Sequence, residues 1–263
     1  MLELYHHSTS VCAAKVRLVL AEKGLEWKGH YVDIIRGEQF DPDYLKINPK
    51  AVVPTLVHEG HVIRESTVIN EYLDEVFPNP PLKPPNAVAR AGMRLWTKMV
   101  DEGLHVSCAA ITFSLFHRHA VLKMPTTELE TFLQNTRDPA FRARKRVWVL
   151  KGLEAPDVRD AIKFHDRTPA EMETALATAP WLAGDSYSLA DVSLTPYVNR
   201  LEMLGMAAMW RDRPRVADWF ERIRARPNFK PAVLDWIPEQ MASTMRANGS
   251  AQWKFVEHAL KAA

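Results

Sequence analysis

The side chains with chemistry to offer gather near the start of the chain, in the stretch TSVCAAKVR over residues 9–17. Ser10 brings a hydroxyl and Cys12 a thiol, where an alternating run hands over to a helix-periodic one. A hydroxyl just ahead of a helix can cap it. It can also donate a hydrogen bond to an anion at the helix N-terminus, where unpaired N–H groups and the dipole favour negative charge. A cysteine in the first turn has the same field available to lower its pKa. Cysteine is also a common small buried hydrophobe, and for Cys12 the sequence favours packing over reaction. Tyr5, at the end of the first alternating run, is a third hydroxyl and ranks below Ser10.

Further along, Pro54 interrupts the β-branched run VVPTLV, and Glu65-Ser66 precedes another helix-periodic segment. Ser66 is placed as an N-cap, at a helix end suited to a carboxylate. His6-His7 and His117-x-His119 have neither the i,i+4 spacing nor the partner acids of a metal site, so no metal is expected. RARKRVW, residues 142–148, reads as an exposed helix face and not as a nucleic-acid patch.

The elements that must position these groups follow from periodicity. Leu2 and Leu4 alternate as a strand, Cys12 to Lys23 repeats as a helix stopped by Gly24, and His30, Val32 and Ile34 alternate again. A strand near Pro54, a turn at Glu59-Gly60, a strand at residues 61–64 and a helix from Ser66 to about Phe77 complete a β-α-β-β-β-α order, with a loop between the second and third strands. PNPPLKPPN then packs five prolines into eight positions, a density that neither helix nor central strand accommodates. Beyond it the pattern is helical. A long helix runs from about Leu95 towards His119, segment 125–168 holds one or two helices with a loop near Gly152–Asp157, and core helices follow Ser188 and Val216. Ser188 and Asp191 have the spacing of a capping box.

Composition bounds the function class. The chain has 263 residues, 47% hydrophobic and 25% charged, with formal net charge +2. That balance supports neither nucleic acid nor an anionic membrane as partner. Apolar runs fall short of a membrane span, and no basic segment followed by a hydrophobic run opens the chain. Two cysteines, Cys12 and Cys108, do not make a disulfide scaffold, so cytoplasm is the expected location.

Four segments, in order, carry a resemblance to the cytosolic glutathione S-transferase superfamily: SVCAAKVRLVLAEKGL, NPKAVVPTL, RESTVINEYL and LAGDSYSLADVSL. Within it, RLWTKMVDE is similar to the bacterial aryl-ether-cleaving branch. The SVC, KVR, NPKAVVPTL and RLEMLGM stretches are similar to tetrachlorohydroquinone reductive dehalogenase, and the zeta class shares the Ser-x-Cys pattern. The resemblance implies a thioredoxin-like α/β domain over residues 1–78, a linker over 79–87, an all-α helical-bundle domain over 88–263, and a homodimer. It implies glutathione as co-substrate, with Ser10 donating to its sulfur and Val53, before a cis Pro54, pairing with its cysteinyl backbone. Glu65 and Ser66 would hold the γ-glutamyl end, and Gln39 and Lys50 the glycyl end. Trp96, Met99 and His105, on the long helix, are acceptor-site candidates. The implied activity is transfer of glutathione to a small hydrophobic, aromatic electrophile, with ether cleavage at a carbon alpha to a ketone as the specific reaction. The alternatives are a reductive dehalogenase or isomerase using Cys12, whose position matches the dehalogenase's reactive cysteine, and a non-catalytic binding protein.

Overall fold

Leu2, Leu4 and His6 point inward from strand β1, Leu2–His6, and the alternation of LELYH is that of a strand with one buried face. The computed structural model describes residues 1–261. Strand β2, Trp27–Tyr31, pairs parallel with β1, and helix α1, Val11–Glu22, makes the crossover such a pair requires. Strand β3, Thr55–His58, runs antiparallel to β1, and β4, His61–Arg64, hairpins onto β3, for a sheet order of β2-β1-β3-β4. Helix α3, Ser66–Val76, packs beside α1.

Two details differ from the sequence reading. Strand β2 begins at Trp27 and ends before Asp33, whose carboxylate accepts the N–H groups of Ile35 and Arg36 at 3.0 and 3.1 Å and turns the chain. In the expected loop lies a short helix, α2, Pro42–Ile47, opened by proline at its first position and capped by Asp41. Six residues are too few for a helical period to show.

The proline-rich segment leads into helix α4, Ala87–Met99. It continues through a π-helical turn at Val100–Leu104, helix α5 at His105–Thr112, a second π turn at Phe113–His117, and helix α6 at Arg118–Val121. Gly103, in the first π turn, lies so close to Phe164 that an added Cβ would come within 2.5 Å of the ring. Helices α7 (Thr126–Gln134), α8 (Pro139–Lys151) and α9 (Val158–Ala175) follow. Helix α10, Leu189–Met203, is buried on nearly every side, its polar residues Asp191, Asn199 and Arg200 included. Its capping box is present as the spacing predicts, and buried Asp191 also accepts from Trp219 Nε1 at 2.9 Å and Leu182 N at 3.1 Å. Helices α11 (Pro214–Arg224), α12 (Glu239–Ser250) and α13 (Trp253–Lys261) close the bundle.

One hydrophobic core runs from Leu2 and Leu4 through Leu73, Met93 and Val192 to Val256 and Ala259, so sheet and bundle share it. Lys23, the C-cap of α1, buried against Asp74 at 2.8 Å and donating to the carbonyls of Phe77 and Pro80, ties α1 to the end of α3.

Candidate active site

Ser10 is the N-cap of α1, in extended conformation, and its Oγ accepts the Ala13 N–H at 3.1 Å. Capping occupies a lone pair of the hydroxyl and leaves its proton free to donate. The loop carrying it is held from behind by two buried arginines. Arg17 of α1 donates to the carbonyls of His7, Ser8 and Ala232, and Arg200 of α10 donates to the Thr9 carbonyl at 2.6 Å. Neither guanidinium has a carboxylate within ion-pair distance among the described residues, so both bring uncompensated positive charge beside Ser10.

Cys12 lies in the first turn of α1, half-buried, but not among apolar neighbours alone. Its Sγ is 3.5 Å from His105 Nδ1 and 3.7 Å from the Tyr197 hydroxyl, and those two groups are 3.2 Å apart. Burial works against the thiolate, but the His105 charge and hydrogen bond, Lys15 and the Tyr197 hydroxyl together outweigh it and bring the thiol down to about 6. Reciprocally, the Cys12 charge raises His105 above its ordinary value against burial. Desolvation keeps Tyr197 protonated, its pKa well above that of a free phenol. The expectation of a passive, packed cysteine therefore meets a sulfur in an anion-favouring setting.

The remaining residues fall in three groups. The Val53-Pro54 peptide is cis, with Pro54 buried. Glu65 precedes α3 with a positive φ of 67°, a conformation rare for a residue with a Cβ. Ser66, buried, is the first residue of the helix and not the N-cap expected of it; Glu65 holds the cap position, without a side-chain bond to the helix. Lys50 and Glu65 form an exposed ion pair at 2.6 Å, joining the segment before Pro54 to the start of α3. Beside them Thr67 receives Lys15 Nζ at 2.9 Å and donates to Asp101 at 3.0 Å. Gln39 is buried, its Nε2 donating to the Ile34 carbonyl while its Oε1 has no partner among the described residues.

Of the three acceptor-side candidates, His105 reaches the first turn of α1 through its bond to Cys12. Trp96 directs its indole N–H to the Leu182 carbonyl at 2.9 Å, and Met99 packs on the core. Tyr5 stacks on His30, ring centroids 4.4 Å apart. Tyr197, Arg17 and Arg200 are the residues that sequence reasoning missed. Tyr197 and Arg200 sit in a helix whose period signals only core, and nothing local reveals their partners. Among the described residues no cluster of three or more His, Cys, Asp or Glu side chains gathers as a metal group, and no helix is long and apolar enough to cross a membrane.

Residues 9–76 match the glutathione S-transferase N-terminal domain, and residues 167–222 its C-terminal domain. Protein LigF of Sphingobium sp. strain SYK-6 is 32% identical over 235 residues, which cover 87% of this chain and 91% of that protein. The chain belongs to the glutathione S-transferase family. The crystal structure of LigF, a β-etherase, superposes with a TM-score of 0.80, covering 88% of this chain and 98% of that one. A tetrachloro-p-hydroquinone reductive dehalogenase of Sphingobium chlorophenolicum is 29% identical over 243 residues, 87% of this chain and 94% of that protein. Glutathione transferase F7 of Populus trichocarpa, 25% identical, superposes at 0.69 over 93% of this chain and 99% of that one. As a glutathione S-transferase the protein uses glutathione as co-substrate, and the thioredoxin-like sheet followed by a helical bundle is that family's fold.

Proposed function

We propose that this glutathione transferase cleaves aryl ethers, its bound thiolate displacing a phenolate from a carbon alpha to a ketone. The observation that carries the thiolate step is the Ser10 geometry: an N-cap hydroxyl whose oxygen serves α1 and whose proton is free to donate. Glutathione's thiol is mostly protonated at neutral pH, so a donor, a helix dipole and the nearby Arg17 and Arg200 charges all favour the reactive anion. In this reading Val53, before Pro54, meets the cysteinyl backbone, Glu65 and Ser66 the γ-glutamyl end, and Gln39 and Lys50 the glycyl end. The unpartnered Gln39 Oε1 and the exposed Lys50–Glu65 pair support it, since a zwitterionic peptide offers an amide donor and charges of both signs. Trp96, Met99 and His105 belong to the acceptor side. Ether chemistry rests on the likeness to LigF.

Residues 1–78 would then be the glutathione-binding unit, 79–87 a linker and 88–263 the acceptor-side unit, working in the cytoplasm. Exposed Val52, Val62, Val68, Val88 and Leu95, spread over the Pro54 loop, β4, α3 and α4, support a second copy of the chain as partner. The test is incubation with glutathione and a phenacyl aryl ether. Enzyme- and glutathione-dependent release of phenol is expected, and none above buffer across a series of such ethers would refute the ether reading.

A second reading is favoured by the Cys12 thiolate, which could attack the sulfur of a glutathione conjugate in a reductive reaction. Under it Cys12→Ser abolishes turnover while glutathione affinity holds; under ether cleavage by transfer, substantial turnover persists.

A further inference from the structure

We propose that His105 is the general acid of the ether-cleaving reaction, its Nε2 proton passing to the aryl oxygen as the C–O bond breaks, while Cys12 and Tyr197 hold the imidazole in place. The inference rests on the ether-cleavage reading and assigns a role which that reading leaves empty. Ser10 serves the incoming sulfur, so the departing oxygen needs a separate donor.

The hydrogen-bond arrangement is directional. Nδ1 faces the Cys12 sulfur at 3.5 Å and the Tyr197 oxygen at 3.2 Å, while Nε2 has no protein partner among the described residues and the ring is half-buried. With Cys12 as thiolate, the Nδ1 proton lies towards sulfur and the Tyr197 oxygen, and the Tyr197 O–H can point at the sulfur. In the cationic form, which the Cys12 charge favours, both ring nitrogens carry protons, and the one on Nε2 is available. The thiolate thus does for this histidine what a carboxylate does in a hydrolase triad: it fixes orientation and stabilises the cation.

Position agrees. Cys12 is two residues past Ser10 in the same first turn of α1, so His105 stands beside the helix end that would receive the sulfur. The π turn Val100–Leu104 sets the rotation of His105 about the helix axis, and π turns recur at functional positions. The charged and titratable groups facing His105 are Cys12 and Lys15 from α1, Asp101 from the π turn and Tyr197 from α10. Cys12 and Asp101 favour its cationic form, and Lys15 opposes it.

The chemistry balances. The sulfur lone pair forms the C–S bond, the C–O pair leaves with the aryl oxygen, and the His105 proton makes it phenol. The proton lost when glutathione bound as thiolate returns to His105 through solvent, so glutathione and ether give thioether and phenol. A phenol resembling the tyrosine side chain has a pKa of about 10, so an unassisted phenolate is a poor leaving group at neutral pH. General acid catalysis typically contributes about 10² to 10⁴ in rate.

The test uses phenacyl ethers of phenols graded in acidity, with phenacyl bromide as an acceptor whose leaving group needs no proton. In His105→Gln, whose amide can hydrogen-bond but not transfer a proton, the ratio of phenyl-ether to bromide turnover is expected to fall about a hundredfold. The fall should shrink steadily towards the 4-nitrophenyl ether. An equal loss on all substrates overturns the assignment and leaves His105 a structural residue. Wild-type turnover of the bromide with none of any ether overturns the ether reading and His105's role with it, a pattern distinct from the first. In Cys12→Ser, nearly isosteric, the basic limb of the ether kcat/KM profile should move to lower pH, because His105 loses its anionic partner; an unmoved limb overturns the part given to Cys12.

Discussion

Replacing Ser10 by alanine removes two interactions that one hydroxyl provides. The first is the cap on Ala13 N–H, 3.1 Å away, and losing an N-cap of this kind costs about 1 kcal/mol of stability. The second is the donated hydrogen bond to glutathione's sulfur. Hydrogen bonds to charged groups are worth about 1.5–3 kcal/mol, which at about 1.36 kcal/mol per pKa unit raises the bound thiol's pKa by roughly one to two. At a pH below that pKa, turnover should fall about 10- to 100-fold in Ser10→Ala. Ser10→Asp separates the two effects, because aspartate caps as well as serine but sets a negative charge against the thiolate. Urea unfolding should show near-wild-type stability for Ser10→Asp and a loss for Ser10→Ala. Ultraviolet titration of the bound thiolate should show a raised pKa for both, higher for Ser10→Asp. If Ser10→Ala titrates like wild type, the hydroxyl is only a helix cap and the reasoning fails.

Other consequences concern what holds the site in place. Asp191→Ala leaves the buried donors of Leu182, Ser188 and Trp219 without their acceptor and should cost about 3–5 kcal/mol by urea unfolding; a loss below about 1 kcal/mol would contradict the burial argument. At Gly249 of α12 an added Cβ would lie 1.9 Å from the Leu204 carbonyl oxygen, so Gly249→Ala must displace α12 from the end of α10. A lowered melting temperature, corresponding to about 1–3 kcal/mol, is expected, with faster proteolysis of the C-terminal helices; unchanged melting would refute the contact. Burial holds His6 at about 4 and His117 and His165 at about 3, all below the ordinary 6.5. Their folded pKa values lie below the unfolded one, so the unfolded chain binds more protons and stability falls as pH drops from 6.5 towards 3–4. Each histidine contributes a slope of up to about 1.4 kcal/mol per pH unit. His165→Leu should flatten that slope, and an unaltered one would exclude His165 as a contributor.

The features legible in the sequence are those set by neighbours along the chain. The alternation of LELYH, the cap position of Ser10, the proline in VVPTLV, the Glu65-Ser66 step and the Ser188–Asp191 box all depend on residues a few positions apart. Helix α2 escaped because six residues opened by a proline show no period, and β2 shifted because its exposed edge residues alternate ambiguously. The π turns at 100–104 and 113–117 blur the 3.6 period of a helix that otherwise reads cleanly. The Cys12–His105–Tyr197 cluster was illegible for another reason. Its members come from α1, α5 and α10, far apart in sequence, and Tyr197 carries only the period of a core residue. Folding places Cys12 against His105 and Tyr197, a setting that lowers its thiol pKa, and no pattern within TSVCAAKVR records that.

The most direct test of glutathione transfer to carbon is the product balance from a phenacyl aryl ether and glutathione, followed by chromatography and mass spectrometry. Ether cleavage by transfer predicts one glutathione thioether for each phenol released, with no glutathione disulfide beyond the buffer control. Phenol released with an equivalent of glutathione disulfide and a reduced ketone would contradict it.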